Sequence, residues 1–265
     1  VSRDLTAGPV LTRREGEILF VTLNRPDSLN AMDDALVDTV RQVFTDLYWR
    51  RDVRVVALTG AGRAFCAGLD LKGWAGSGGT TAQGLDSQRR IAEIVIAMRR
   101  CPQPIIAAVN GPASGGGFAL ALAADVRLAT PTAKMNAAFI RIGLSACDIG
   151  VSYFLPRMVG ASVAAEYLLT GRFFTPERAR ELGLVSAVVA PDTLEAESRA
   201  LADEMLHASP LGLRLTKEAL NHSIDAGGLE AVIAMEDRNQ MLTAREPGFA
   251  EGVAAFLEKR RPDYR

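Results

Sequence analysis

Short runs of adjacent apolar residues alternate along this chain with segments whose apolar positions recur every three or four residues. Residues 18–23, ILFVTL, are rich in β-branched and aromatic side chains and predict a strand. Residues 53–59, VRVVALT, and 103–110, QPIIAAVN, are nearly unbroken apolar runs, the pattern of strands covered on both faces of a sheet. DVRLAT (125–130) predicts a fourth strand and GLVSAVVAP (183–191) one more. Between them, Asp33 is placed to cap a helix reaching about Tyr48, a helix fills residues 85–100, and a short buried helix fills 118–124. A polar, glycine-rich loop over residues 73–84 is suited to cover a ligand. Beyond Thr193 the chain reads as helical almost to its end. Segments such as LGLRLTKEALN carry one apolar stripe, which must be buried on the chain's own core or on another subunit. The pattern predicts an α/β fold in two parts: a β/α core over residues 1–195 and a helical region over 196–265.

Composition narrows the partners. The 265 residues carry 30 Lys plus Arg against 31 Asp plus Glu, a net charge of -1, without the basic excess that a nucleic-acid backbone requires. Three cysteines without a CxxC pair suggest neither a disulfide framework nor a zinc cluster, and fit a reducing, cytoplasmic compartment. Two histidines, both in the helical region, make a His-rich metal site unexpected. The opening VSRDLTAGPV lacks the pattern of a signal peptide. The most apolar stretch, residues 104–124, is broken by Asn110, Pro112 and four glycines, so no membrane span is expected.

Candidate chemistry sits on two glycine-rich turns, each after a predicted buried strand. In ASGGGFALALAAD (113–125), Gly115, Gly116 and Gly117 precede a helix whose first amides have no intrahelical partner. Such amides suit an anion, or charge that develops on an oxygen during a reaction. FCAGLD (65–70) repeats the arrangement, and two such turns can aim two N–H groups at one carbonyl oxygen. A tight strand-to-helix turn without a ligand is the plain alternative. Neither turn is a P-loop or a dinucleotide fingerprint. Cys147 and Ser114 have no histidine near them in sequence, which argues against nucleophilic roles.

Six stretches in order carry a resemblance: LNRPDSLNAM (23–32), GAGRAFCAGLDLK (60–72), VNGPASGGG (109–117), AADVRLAT (123–130), LTGRFFTPERARELGLV (169–185) and FLEKRRPDY (256–264). With them the chain resembles the enoyl-CoA hydratase/isomerase, or crotonase, family. The resemblance implies a spiral of repeated ββα units with a C-terminal helical region that builds homotrimers or dimers of trimers. It implies an acyl-CoA substrate, coenzyme A being part of that substrate, no prosthetic group and no metal. The amides of Leu69 and Gly116 would polarise the thioester carbonyl, and Ala67 would lie at the same site. Arg25 would meet the coenzyme's phosphates, as would Lys259 or Arg260 from the same or a neighbouring subunit. Asp70 is read as a helix cap rather than a substrate contact. The acyl tail would lie beside the 73–84 loop and residues 91–94.

The chain also departs from that family. A hydratase of the family places two glutamates across the enoyl double bond, and the matching positions here are Ala119 and Phe139. Neither can activate water or supply a proton. Asp148, in GLSACDIGVSYFLPR, falls where dienoyl-CoA isomerases carry an active-site aspartate, although the loop here is one residue longer. Apolar neighbours would raise its pKa and make it a better base, and a salt bridge to Arg141 or Arg157 is the alternative. The reading is an acyl-CoA enzyme of the hydratase type acting at the enoyl double bond. Its alternatives are a double-bond isomerase using Asp148, a catalytically weak acyl-CoA binder, and an interaction protein that reuses the fold.

Overall fold

The computed structural model describes residues 4–74 and 79–264. Its main sheet has six strands in the order β1-β2-β3-β4-β6-β8. These are β1 (Val10–Glu15), β2 (Ile18–Leu23), β3 (Val55–Gly60), β4 (Ile105–Val109), β6 (Val126–Ala129) and β8 (Ala187–Val188). β1 runs antiparallel to β2, and every other pairing in this sheet is parallel. A small second sheet pairs β5 (Ala113–Ser114) with β7 (Met135–Asn136). The β1–β2 hairpin closes over Gly16 and Glu17, and Gly16 takes the positive φ of 58° that such a two-residue turn requires.

Both faces of the sheet are covered, as the apolar runs predict. On one face Ile18, Phe20, Val55, Ala57, Ile106, Ala108 and Leu128 pack against Leu194 and Ala202 of α8 (Leu194–Met205). α8 is therefore part of the packed core, although the sequence places the end of that core at residue 195. The other face carries the larger cluster, which draws on α1 (Asp34–Leu47), part of α3 (Thr81–Arg100) and Phe118 to Ala123 of α4 (Gly116–Ala123), a helix buried along its whole length. Asp33 caps α1 by accepting from the Leu36 amide at 2.9 Å, and Leu36, Val37, Val40, Phe44 and Leu47 form its buried stripe.

Two boundaries differ from the sequence reading. Thr80 and Gln83 form a reciprocal capping box, so α3 begins at Thr81 and takes up the end of the expected 73–84 loop. Four residues of that loop, 75–78, lie outside the described residues, and the short α2 (Leu71–Trp74) precedes them. The run 183–191 pairs only through Ala187 and Val188.

The second half is helical: α5 (Val151–Val159), α6 (Ala161–Thr170), α7 (Pro176–Glu181), α8, then α9 (Pro210–Ser223), α10 (Leu229–Thr243) and α11 (Pro247–Glu258). Buried Lys217 ties α9 to the core. Its Nζ lies 2.9 Å from Asp125 Oδ2 and donates to the Gln103 carbonyl at 2.7 Å. Asp125 also pairs with Arg99 at 3.3 Å and accepts from the Ile105 amide at 2.8 Å. Removing one partner of a buried ion pair costs about 3–5 kcal/mol, and Arg99 remains to compensate Asp125. Lys217→Met is therefore expected to lower the unfolding free energy by about 3 kcal/mol, measured by urea denaturation.

Candidate active site

Three backbone segments meet at the C-terminal ends of β3 and β4. The Met32 amide donates to the Gly68 carbonyl at 2.7 Å, and the Asp70 amide donates to Met32 at 3.0 Å. Cys66 bridges Ala113 in parallel, and the Ser114 amide donates to the Cys66 carbonyl at 3.0 Å. The turn that contains Leu69 is thus stitched on one side to residues 29–32 and on the other to the glycine turn.

Only glycine permits this approach. A Cβ on Gly117 would lie 2.0 Å from the Cys66 carbonyl oxygen. One on Gly68 would lie 2.8 Å from the Ser114 oxygen and 3.3 Å from the Gly116 nitrogen, and Gly68 has φ of 96°. The amides of Leu69 and Gly116 donate to no backbone or side-chain acceptor among the described residues. Two unpaired donors therefore sit on two backbones in contact. Gly116 also opens α4, whose dipole favours negative charge at that end. The Ala67 amide is different: it is spent on the Leu29 carbonyl at 3.0 Å.

Two asparagines, Asn30 buried and Asn110 partly so, shape the turns. Asn30, at φ of 57°, donates through Nδ2 to the carbonyls of Ala61 at 2.9 Å and Ala64 at 2.8 Å. Asn110 accepts from the Gly60 amide at 3.2 Å and donates to the Gly62 carbonyl at 2.9 Å. These bonds supply partners that a bare loop would otherwise have to find in solvent.

The basic residues suggested for coenzyme A are placed apart from one another. The Arg25 guanidinium is half-buried between Asp33 at 3.2 Å and Asp70 at 3.0 Å, and it also donates to the Ala31 carbonyl. Its charge is thus met inside the chain, and Asp70 serves as its counter-ion. Lys259 is exposed at the end of α11. Arg260 pairs with Glu251 and Glu258, each at 2.6 Å.

Asp148 lies on the loop before α5 and is half-buried. Its Oδ1 accepts from Gln88 Nε2 on α3 at 2.5 Å and from the Ile149 amide at 2.8 Å. Arg157 pairs with Asp225 instead, and Arg141 stacks over Phe173, so neither supplies the salt bridge considered from sequence. Burial pushes the Asp148 carboxyl above the usual carboxylate range, and the bonds from Ile149 and Gln88 oppose that shift. The loop reaches the glycine turn: Ile149 Cδ1 lies 3.7 Å from where a Cβ on Gly116 would stand. Ala119 is fully buried within α4, and the Phe139 ring lies 3.4 Å from a Cβ position on Gly115. Ile94, suggested beside an acyl tail, is fully buried in the core, whereas Ile91 is only partly so.

Sequence reasoning missed Gln88, Met32 and the two asparagines. Gln88 is 60 residues from Asp148 and carries no local signal. Met32 sits inside a quoted stretch, yet only the fold shows its methyl directly against Gly116. Among the described residues, no group of three or more His, Cys, Asp or Glu side chains is placed to hold a metal ion. No described helix is long and apolar enough to cross a membrane.

Comparison with known proteins gives one answer. A family profile described as enoyl-CoA hydratase/isomerase matches residues 13–265. The "Probable enoyl-CoA hydratase echA12" of Mycobacterium leprae is 42% identical over 265 residues, covering 98% of this chain and 90% of that protein. The 1,2-epoxyphenylacetyl-CoA isomerase of Escherichia coli is 34% identical over 257 residues, covering 96% of this chain and 97% of that one. Among solved structures, an enoyl-CoA hydratase from Bacillus anthracis superposes with a TM-score of 0.92 at 33% identity, covering 97% of this chain and 99% of the other.

The two middle glycines should respond differently to a methyl group. On Gly117 it meets the rigid Cys66 carbonyl, and Gly117→Ala is expected to lower stability by about 3 kcal/mol. On Gly116 it meets the Met32 methyl, the movable end of a flexible side chain, so Gly116→Ala should lose about 1 kcal/mol or less. Thermal and urea unfolding of the two variants measure the contrast.

Proposed function

Because the chain belongs to the enoyl-CoA hydratase/isomerase family and folds as that family's α/β spiral, we propose that it moves a proton along the acyl chain of an enoyl-CoA. In this reading the substrate is a coenzyme A thioester, and no prosthetic group takes part. The amides of Leu69 and Gly116 bind the thioester oxygen. Charge grows on that oxygen as the neighbouring carbon loses a proton, so donors fixed in advance stabilise the transition state more than the ground state.

The observation that carries the reading is the Asp148 carboxylate on the loop beside the glycine turn. Asp148 is half-buried, held by Gln88, and one residue from Ile149, whose Cδ1 lies 3.7 Å from a Cβ position on Gly116. Its carboxylate removes a proton from C2 of a 3-enoyl-CoA. The electron pair spreads over a dienolate whose oxygen is held by the two amides. The carboxylic acid then returns the proton to C4, which leaves the double bond between C2 and C3. One group that takes and gives back one proton is enough for this shift, whereas hydration needs a second group for water. Apolar Ala119 and Phe139 supply none.

Hydration is the second reading, favoured by relatives named as enoyl-CoA hydratases. It requires the loop backbone to hold the attacking water while Asp148 acts as its base. The subunit arrangement belongs to the same proposal. Leu229, Phe256 and Leu257 of α10 and α11 are more than 70% exposed, an apolar surface that a trimer would cover. Lys259 would then approach a neighbour's coenzyme.

Three outcomes are expected. Incubation of a 3-enoyl-CoA in deuterated water, followed by mass spectrometry, yields the 2-enoyl isomer, and Asp148→Asn lowers its rate by 100-fold or more. A hydroxyacyl product that Asp148→Asn leaves undiminished would refute the role of the carboxylate. The base must be ionised, so kcat/KM should fall as pH drops through the raised Asp148 pKa. Gln88→Leu removes a bond to the charged form and should move that acid limb to higher pH.

A further inference from the structure

The loop that carries Asp148 turns into α5 at Gly150, which has φ of 93° and caps the helix. The Val151 amide donates to the Asp148 carbonyl at 2.9 Å, and the amides of Tyr153 and Phe154 donate to the Gly150 carbonyl, each at 3.0 Å. The backbone of Asp148 is thus fixed to the first turn of α5. A Cβ on Gly150 would lie 2.8 Å from Phe154 Cε2, 3.3 Å from Phe154 Cδ2 and 3.5 Å from Val95 Cγ1. The bare α-carbon therefore rests on the Phe154 ring, an approach that glycine alone permits.

The ring is held from its other sides. Phe154 is buried, the Arg99 guanidinium lies 5.5 Å from its centroid, and Tyr153 meets it edge-on at 5.1 Å. Arg99 is itself fixed, by Asp125 at 3.3 Å and by the side-chain oxygen of Asn221, which donates back to the Arg99 carbonyl at 3.0 Å. Gln88, Val95 and Arg99 follow one another at seven and then four residues along α3, so they share one stripe of that helix. The stripe meets the acid loop at three levels. Gln88 holds the carboxylate, Val95 flanks the Gly150 α-carbon, and Arg99 backs the ring beneath it.

The carboxylate is anchored by one oxygen only. Oδ1 accepts from Gln88 and from the Ile149 amide, whereas Oδ2 accepts from no described group. The cations nearby in sequence are engaged elsewhere: Arg89 with Asp86, Arg90 with Asp34 and Asp38, and Arg157 with Asp225.

We propose that Phe154 is a positioning residue for Asp148: its ring, clamped between Arg99 and Gly150, sets where the unspent Oδ2 stands beside the glycine turn. The inference rests on Asp148 as the carrier of the proton and names what aims it. A smaller side chain removes the floor under Gly150, so the loop loosens and water reaches the carboxyl. A misplacement of about 1 Å at the reacting groups costs on the order of 100-fold in rate.

Phe154→Leu tests the proposal, with Phe20→Leu as its control. Phe20 also lies under an arginine but packs on the opposite face of the sheet. Both variants should lower the melting temperature. Only Phe154→Leu should lower kcat for a 3-enoyl-CoA, by about tenfold, with KM within about twofold of the parent. The Asp148 carboxyl is followed by 13C NMR titration, its signal assigned by its loss in Asp148→Asn. Burial is the main cause that raises it, so Phe154→Leu should move it down toward the ordinary carboxylate range, opposite to Gln88→Leu. Gly150→Ala presses on the same ring, and its kcat loss should combine with that of Phe154→Leu to less than their product. An unmoved titration and kcat in Phe154→Leu, equal changes in Phe20→Leu, or losses that multiply would overturn the proposal. Full turnover by Asp148→Asn would instead refute the proton-transfer reading, and the titration then still decides whether the ring sets the carboxyl.

Discussion

The structure depends on one close approach of backbone to backbone. The turn after β3 and the turn after β4 touch through Gly68, Gly117 and the Cys66 carbonyl, with no side chain between them. Everything near the candidate site follows from that contact. It brings the unspent amides of Leu69 and Gly116 onto neighbouring strands of chain, and it starts α4 directly beneath them. A side chain at Gly68 or Gly117 would place a methyl where the other backbone already lies. Asn30 and Asn110 then act as internal splints, pairing carbonyls that the irregular path leaves outside any ladder.

The far end of α4 is arranged with equal economy. Arg127 is buried and donates to the carbonyls of Ala121 at 3.3 Å and Ala124 at 2.6 Å, where the helix ends. Burial pushes its pKa down to about 10, yet it remains charged at neutral pH. A cation therefore complements the negative end of an all-apolar helix whose positive end faces the open amides. Arg127 also holds the Leu184 carbonyl at 2.8 Å, which ties the segment before β8 to the same helix. One side chain on β6 thus serves both the end of the central helix and the segment before β8.

Much of this was legible in the sequence, for stated reasons. Apolar runs marked the parallel strands because both faces of the sheet are covered, and Asp33 announced α1 because a cap is a local device. The glycine triplet pointed to a crowded turn because few other uses need three in a row. β1 escaped notice because VLTRRE at a sheet edge carries four polar residues and only two apolar ones. The start of α3 was missed because its capping box lies inside a glycine-rich stretch. The company kept by Arg25 could not be read at all: Asp70 is 45 residues away, and only the folded turn makes them neighbours. For the same reason Asp148 was visible as a lone acid, whereas the glutamine that orients it was not.

Ile149 adopts φ of 35°, a left-handed backbone that a β-branched residue strongly disfavours. Such a conformation survives only where the surroundings leave no alternative, and here the Ile149 side chain packs toward the glycine turn, 3.7 Å from a Cβ position on Gly116. Strain held at that one residue fixes the backbone from which Asp148 projects, next to the glycine turn.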